Sequence, residues 1–300
     1  MNLYNARKRE IAFVSSFFLA PAIVLLLVYI YYSVGHAFVL SFRDWNGIDP
    51  VRKFVGFANW KEMFHDPSFT GAVGHNLIIV VMSIIVQQPI ALGIAFMFER
   101  MGRRSASLKV LYYFPALFST AAVGMLFMFI YSPRNGIFTT FSKLFGGGIM
   151  DMLGNPASSL MGVFTVICWT AIPFYMLFYM AVLSGLPGEI YEAAVIDGAS
   201  LSQYFFSIVL PMIKMSIQTA CTLSMIGSLK YFDLIYIMTE GGPNSSSELM
   251  ATYMYRMTFR FRRMGYGSAI ASGMFIIVVL FSLVFLFISN KTLKENDLYE

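Results

Sequence analysis

The chain has 300 residues, 58% of them hydrophobic and only 12% charged, with thirty Phe, seventeen Tyr and a net charge of +5. With a mean hydropathy of +0.68, this lies outside the range of soluble domains, and apolar runs of about 20 residues or longer imply spanning helices rather than a β-barrel. Two cysteines inside apolar runs, Cys168 and Cys221, and three scattered histidines argue against a disulfide framework or a metal site, and the positive charge fits loop-flanking Lys and Arg better than nucleic acid.

In chain order, a polar head with Arg7, Lys8 and Arg9 precedes a first span over 11–34, which holds Pro21. That run is too long for a cleavable signal and no small-residue cleavage site follows it. Residues 43–69 read as a polar loop with Trp45 and Trp60 as aromatic anchors. The second span, 72–98, carries Asn76, Gln87, Gln88 and Pro89, a polar set costly against lipid and therefore expected to bond other helices. A tight basic turn with Arg100, Arg103, Arg104 and Lys109 leads to the third span, 110–131, and a Gly-rich loop, 132–156, to the fourth, 157–184, with Trp169 and Pro173 inside it.

Residues Leu186–Pro211, LPGEIYEAAVIDGASLSQYFFSIVLP, hold Glu189, Glu192 and Asp197 and do not belong in hydrocarbon. They read as a helix ended by Gly198 in the left-handed conformation, then a second helix capped by Ser200. A fifth span, 213–238, a polar connection with Arg256, Arg260, Arg262 and Arg263, a sixth span, 267–289, and a charged tail complete the chain. Six spans place both termini on one side. Lys and Arg divide nearly evenly between the two sets of loops, but they crowd against the helix ends of the N-terminal set, so both termini and the 186–211 loop are expected in the cytoplasm.

Glu192-Ala193-Ala194, three residues, Gly198, nine residues, then Ile208-Val209-Leu210-Pro211 resembles the EAA signature of ABC-importer permeases, with every signature residue present. Asp44-Trp45-Asn46-Gly47, Phe54 to Trp60, Tyr231-Phe232-Asp233, Thr239 to Pro243 and Met264 to Ala269 look like segments of carbohydrate-importer permeases of the maltose and glycerol-3-phosphate type. Lys214 departs from that pattern, which often has a second Pro there. The resemblance implies an all-α integral membrane protein with the type I importer fold, six transmembrane helices in a single permease domain over 1–300, and a cytoplasmic coupling helix between spans 4 and 5. Glu189, Tyr191, Glu192, Ala193, Ala194, Asp197, Gly198, Leu210 and Pro211 would couple it to the ATPase. Thr170, Ala171, Phe174, Gly227, Lys230, Tyr231 and Asp233 would line the substrate path. Lys230 and Asp233, three apart, are close enough to pair across one helical turn.

The partners implied are a second homologous permease, two ATP-binding subunits, an extracytoplasmic solute-binding protein and the lipid of a bacterial inner membrane. No P-loop GxxxxGK[ST] occurs, so ATP and Mg are expected on the partner ATPase and no cofactor on this chain; no catalytic constellation is visible. The solute expected is a carbohydrate, foremost an oligosaccharide. A polyol, glycerol-3-phosphate or another solute is the alternative within the same fold. An ion-coupled secondary transporter is the alternative outside it, although such a protein favours an internal repeat and a dedicated acidic mid-membrane site.

Overall fold

Apolar sequence makes the helices here, and the places where proline or a helix end interrupts them decide the architecture. The computed structural model describes residues 16–102 and 106–297, with side chains to residue 288. Arg7 to Arg9, the start of the first span at 11–15, Arg103, Arg104 and the end of the tail lie outside the described residues. Among the described residues four helices are long and apolar enough to cross a membrane: α1 (Ser16–Ser41), α3 (Pro67–Met101), α7 (Ser159–Leu183) and α13, whose apolar part is Met264–Ile288. Two bent pairs also qualify, α4 (Ala106–Leu117) with α5 (Thr120–Ile130), and α9 (Leu201–Met212) with α10 (Lys214–Leu229). With each pair taken as one crossing there are six, as the hydropathy implies.

The bends correct the expectation of simple spans. The third turns by 95° at Phe118–Ser119, and α9 meets α10 at 73°. Ser119 accepts from the Ala122 amide and so caps α5 after the turn. Within α3, Pro89 follows a π-helical turn at Ser83–Gln87, and Pro211 follows another at Tyr204–Val209. A proline ring collides with the carbonyl four residues earlier, Ile85 and Ser207 respectively, and the wider π turn takes up that clash without ending the helix.

The fifth span is broken as well. α10 stops at Leu229, and a short helix α11 (Asp233–Met238) starts after three intervening residues. Lys230 and Asp233 therefore sit on opposite sides of a break rather than on one turn, and no ion pair joins them among the described residues. Asp233 lies instead in the first turn of α11, where the helix dipole favours a carboxylate.

The chain divides into two compact units. The first holds residues 1–66 and 254–275. Here β1 (Arg43–Asp44) pairs antiparallel with β2 (Lys53–Phe54), a small departure from all-α, and α2 (Ala58–His65) follows. Buried Asn59 donates to the Ser41 and Arg43 carbonyls, at 2.9 Å each, and the Gly265 amide donates to the Trp45 carbonyl at 3.0 Å. A Cβ on Gly265 would collide with the Arg43 carbonyl, so that residue has no room for a side chain. Arg263 grips Glu62 with both terminal nitrogens at 2.7 and 2.6 Å, and the Tyr266 hydroxyl donates to Asp66. Three segments singled out in the sequence, 44–47, 54–60 and 264–269, thus meet in one place.

The second unit holds residues 67–253 and 276–300. Its apolar core forms two clusters, one around Ala91, Ala95, Met176, Tyr179 and Ile213, the other around Ile79, Val163, Ile167, Ile235 and Leu249. The polar residues of α3 bond other helices, as expected of them: Gln88 accepts from the Tyr179 hydroxyl at 2.8 Å, Gln87 donates to Ser224, and Ser83 accepts from Ser228 at 2.9 Å. Asn76 donates to the Ser228 carbonyl and accepts from the Met250 amide. The 240–266 connection is a folded element, not a plain polar loop: α12 (Met250–Tyr255) begins with residues buried as deeply as the core. The 132–156 loop likewise contains a helix, α6 (Ile137–Leu144).

Candidate functional site: the 186–211 element

Pro187 opens helix α8 (Gly188–Ile196), its fixed φ suiting the residue ahead of a first turn. The helix ends in a double-bonded cap. The Gly198 amide reaches the Val195 carbonyl at 3.1 Å and the Ala199 amide reaches that of Ala194 at 2.9 Å, with Gly198 at φ +75°. This is a Schellman arrangement, which satisfies carbonyls that a helix end would otherwise leave open. Ser200 then caps α9 reciprocally: its hydroxyl accepts from the Gln203 amide while the Gln203 side chain accepts from the Ser200 amide. Both caps follow from the sequence as read.

Helical spacing divides α8 into two faces. Glu189, Glu192, Ala193 and Ile196, at i, i+3, i+4 and i+7, are all exposed, and Ile196 is 85% so. Ile190, Tyr191 and Ala194 turn toward the bundle, where Ala194 is buried in the cluster that holds Ala95, Phe98 and Leu183. The two alanines therefore have different surroundings: Ala194 seats the helix on its own bundle, and Ala193 lies on the open face. Asp197, Gly198 and Pro211 are exposed and Leu210 is half-buried against the core.

What holds α8 in place was not evident from the motif. The Arg100 guanidinium, at the end of α3, lies 3.4 Å above the Tyr191 ring and 5.9 Å from that of Tyr204. Tyr191 and Tyr204 meet edge to face at 5.0 Å, and Phe96 packs on Tyr204 and Phe205. Arg100 stood in the sequence only as one of several basic residues in a turn, and nothing local marks its partner as Tyr191. At this exposed site a cation–π contact contributes about 0.5–1 kcal/mol. Arg100→Ala should accordingly raise amide exchange across α8 about two- to fivefold, with Arg100→Lys in between. Exchange that did not change would show that Tyr191 is held by packing alone.

The residues expected along the substrate path are spread over three elements. Phe174 on α7, Gly227 on α10, Lys230 at the break and Asp233 at the start of α11 are exposed. Thr170 and Ala171 are partly buried, with the Thr170 hydroxyl donating back to the Val166 and Ile167 carbonyls. Tyr231 packs on the second core cluster. A cavity of about 710 Å³ lies nearby but belongs to a different face of α7, with Thr165, Cys168, Trp169 and Pro173 in its wall. Among the described residues no group of His, Cys, Asp or Glu is placed to hold a metal ion.

Residues 87–292 match the family of binding-protein-dependent transport system inner membrane components. The chain is 32% identical to the probable ABC transporter permease protein YurN of Bacillus subtilis over 271 residues, 89% of this chain and 92% of that one. It is 28% identical to the multiple sugar-binding transport system permease protein MsmF of Streptococcus mutans, across 91% of this chain and 94% of the other. Its fold is that of a chain in the crystal structure of a bacterial ABC transporter involved in import of the acidic polysaccharide alginate, with a TM-score of 0.81 at 21% identity over 97% of this chain and 99% of that one. With two thirds of its length in that family model and a fold shared with an importer of known structure, this chain belongs to the binding-protein-dependent ABC transporter permeases, as an inner membrane component.

Proposed function

We propose that this permease is one of two transmembrane subunits of an ATP-driven importer for a carbohydrate, foremost an oligosaccharide. It pairs with a homologous second permease, two copies of an ATPase that carry the ATP and Mg, and an extracytoplasmic binding protein that delivers the solute. The observation that carries this reading is the open face of α8. Glu189, Glu192, Ala193 and Ile196 form an exposed stripe, on a helix fixed from behind by Arg100, Tyr191, Ala194 and Tyr204. A rigidly seated helix with carboxylates and a bare isoleucine pointing outward suits a groove in a partner, and it transmits motion instead of absorbing it. Glu192 is the polar anchor in that groove, with Ala193 permitting close approach.

The orientation follows from that role: α8 faces the cytoplasm with the ATPase, and both termini lie on the same side. The chain is then a single permease domain that forms half of the translocation path. Phe174, Gly227, Lys230 and Asp233 contribute open surface to that path, and Thr170, Ala171 and Tyr231 shape its wall. The carbohydrate assignment rests on the loop and fifth-span segments that resemble carbohydrate permeases and on relatives such as MsmF, whose name specifies sugar.

The reading is tested on the purified complex in vesicles. An ATPase should co-purify, and its hydrolysis should rise when sugar-loaded binding protein is added. If Glu192 is an interface anchor worth about 2 kcal/mol, Glu192→Ala should weaken that stimulation roughly thirtyfold. Uptake should be competed by oligosaccharides. Competition by dipeptides alone would sink the carbohydrate assignment, and a permease that imports solute with no ATPase attached would sink the whole proposal.

A further inference from the structure

The loop between the third and fourth spans contains an amphipathic helix built the wrong way round for water. In α6 and at its C-cap, Ile137, Phe138, Phe141, Leu144 and the C-cap Phe145 occupy one arc, at i, i+1, i+4, i+7 and i+8, and all are between 41% and 84% exposed. On the other side the residues are polar, with Thr139 and Ser142 turned toward the protein and Thr140 and Lys143 exposed. Thr139 is buried, its hydroxyl donating to the Met150 carbonyl at 3.1 Å and accepting from the Met150 amide at 3.3 Å. Ser142 donates to the Gly148 carbonyl at 2.8 Å. The segment that returns past this polar face adds Ile149, 67% exposed, to the apolar surface.

Its position is fixed by short tethers. Helix α5, the second half of a bent pair, ends at Ile130 and α6 starts at Ile137, across a turn closed by the Gly136 amide on the Ser132 carbonyl at 2.9 Å. A Cβ on Gly136 would collide with the Ile130 and Ser132 carbonyls, so the chain passes hard against the end of α5. Phe138 packs on Tyr131 at 5.2 Å, and the Tyr131 hydroxyl donates to the Gly162 carbonyl near the start of α7. The helix is thus held beside the C-terminal end of α5 and the N-terminal end of α7, the end of α7 opposite the 186–211 element.

We propose that α6 is an in-plane interfacial helix whose Ile137–Phe138–Phe141–Leu144–Phe145 face is immersed in lipid at the boundary between acyl chains and headgroups. An aromatic-rich apolar arc facing out, with hydrogen-bonded threonine and serine facing in, is stable where the outer medium is lipid and costly where it is water. Lys143 is the one charge between Ile137 and Met150, and helical geometry puts it on the face away from the arc, within reach of headgroup phosphate. A solute-binding protein that docks and leaves would bare five apolar side chains to water in each cycle, whereas lipid covers them throughout. On α5, to which α6 is tethered, the apolar side chains of Met125, Leu126 and Phe129 are open as well.

The test uses single cysteines at Phe141 and Lys143, with Cys168→Ala and Cys221→Ala as background. Each is labelled with bimane in the full-length protein, purified with its co-expressed transporter subunits. The vesicles are phosphatidylethanolamine and phosphatidylglycerol with brominated acyl chains. Bromolipid should quench the label at 141 about twofold and leave the one at 143 bright, while aqueous iodide does the reverse. Phe145→Cys, 84% exposed, repeats the measurement should the 141 variant fold poorly. Iodide quenching at both 141 and 145 would overturn the proposal. So would shielding that appears only when binding protein is added, which assigns the face to that protein, or shielding from both quenchers at all times, which assigns it to the second permease.

Discussion

Gly198→Val should uncouple transport while leaving the membrane bundle intact, and Gly198→Asn should be nearly silent. Gly198 stands at φ +75°, with nothing within 4 Å of where a Cβ would lie, so space is not what a side chain would lack there. The cost is conformational: the left-handed region disfavours residues with a Cβ by roughly 1–2 kcal/mol, and a β-branched residue most of all. A valine escapes that cost by leaving φ > 0, which gives up the bonds from Gly198 to Val195 and from Ala199 to Ala194. The end of α8 then swings, carrying Ile196 and Asp197 off their stripe. A shift of that size changes the population of the seated helix by about 5- to 30-fold, and binding-protein-stimulated hydrolysis should fall accordingly. Asparagine tolerates the left-handed region, so its variant should remain within about threefold of the parent. Protein yield and thermal stability should be alike in the two variants, since the spans are untouched. Equal activities would mean that the left-handed cap does not position α8.

The reason such a test can be framed from residues 186–211 is that the element is local. Gly198, Ser200 and Gln203 act on backbone groups within five residues of themselves, so caps and turn are legible in the sequence itself. The rack beneath them was not. Arg100 is 91 residues from Tyr191, and an arginine in a basic turn between spans carries the same sequence signature whether it meets a ring, a headgroup or water. Hydropathy had a similar blind spot at the helix breaks. Phe118–Ser119 and Lys230–Phe232 lie inside apolar runs that a window reads as continuous, since a bend changes backbone direction without changing composition. In α6 the apolar period was present, but eight residues among glycines read as loop.

The break in the fifth span also sets the largest stability effect expected of a single substitution, at Asn76. Where α10 ends, its last carbonyls lose their helical partners, and the first amides of α12 have none to begin with. Asn76 is fully buried and serves both ends at once: its amide nitrogen donates to the Ser228 carbonyl at 3.0 Å, and its oxygen accepts from the Met250 amide at 2.9 Å. Leucine matches its size but leaves both backbone groups bare, at about 1–3 kcal/mol each, or roughly 2–6 kcal/mol together. Ser83→Ala is the informative comparison. It removes one hydroxyl–hydroxyl bond to Ser228 from the same helix pair, and an interhelical bond of that kind averages about 0.6 kcal/mol in a membrane. Asn76→Leu should therefore lower the unfolding midpoint of the purified permease several times more than Ser83→Ala. It should also reduce transport beyond the loss of folded protein, because the bond to Ser228 shapes the break that exposes Lys230. Equal midpoints in the two variants would mean that the open helix ends find other partners, and that the break holds its geometry without Asn76.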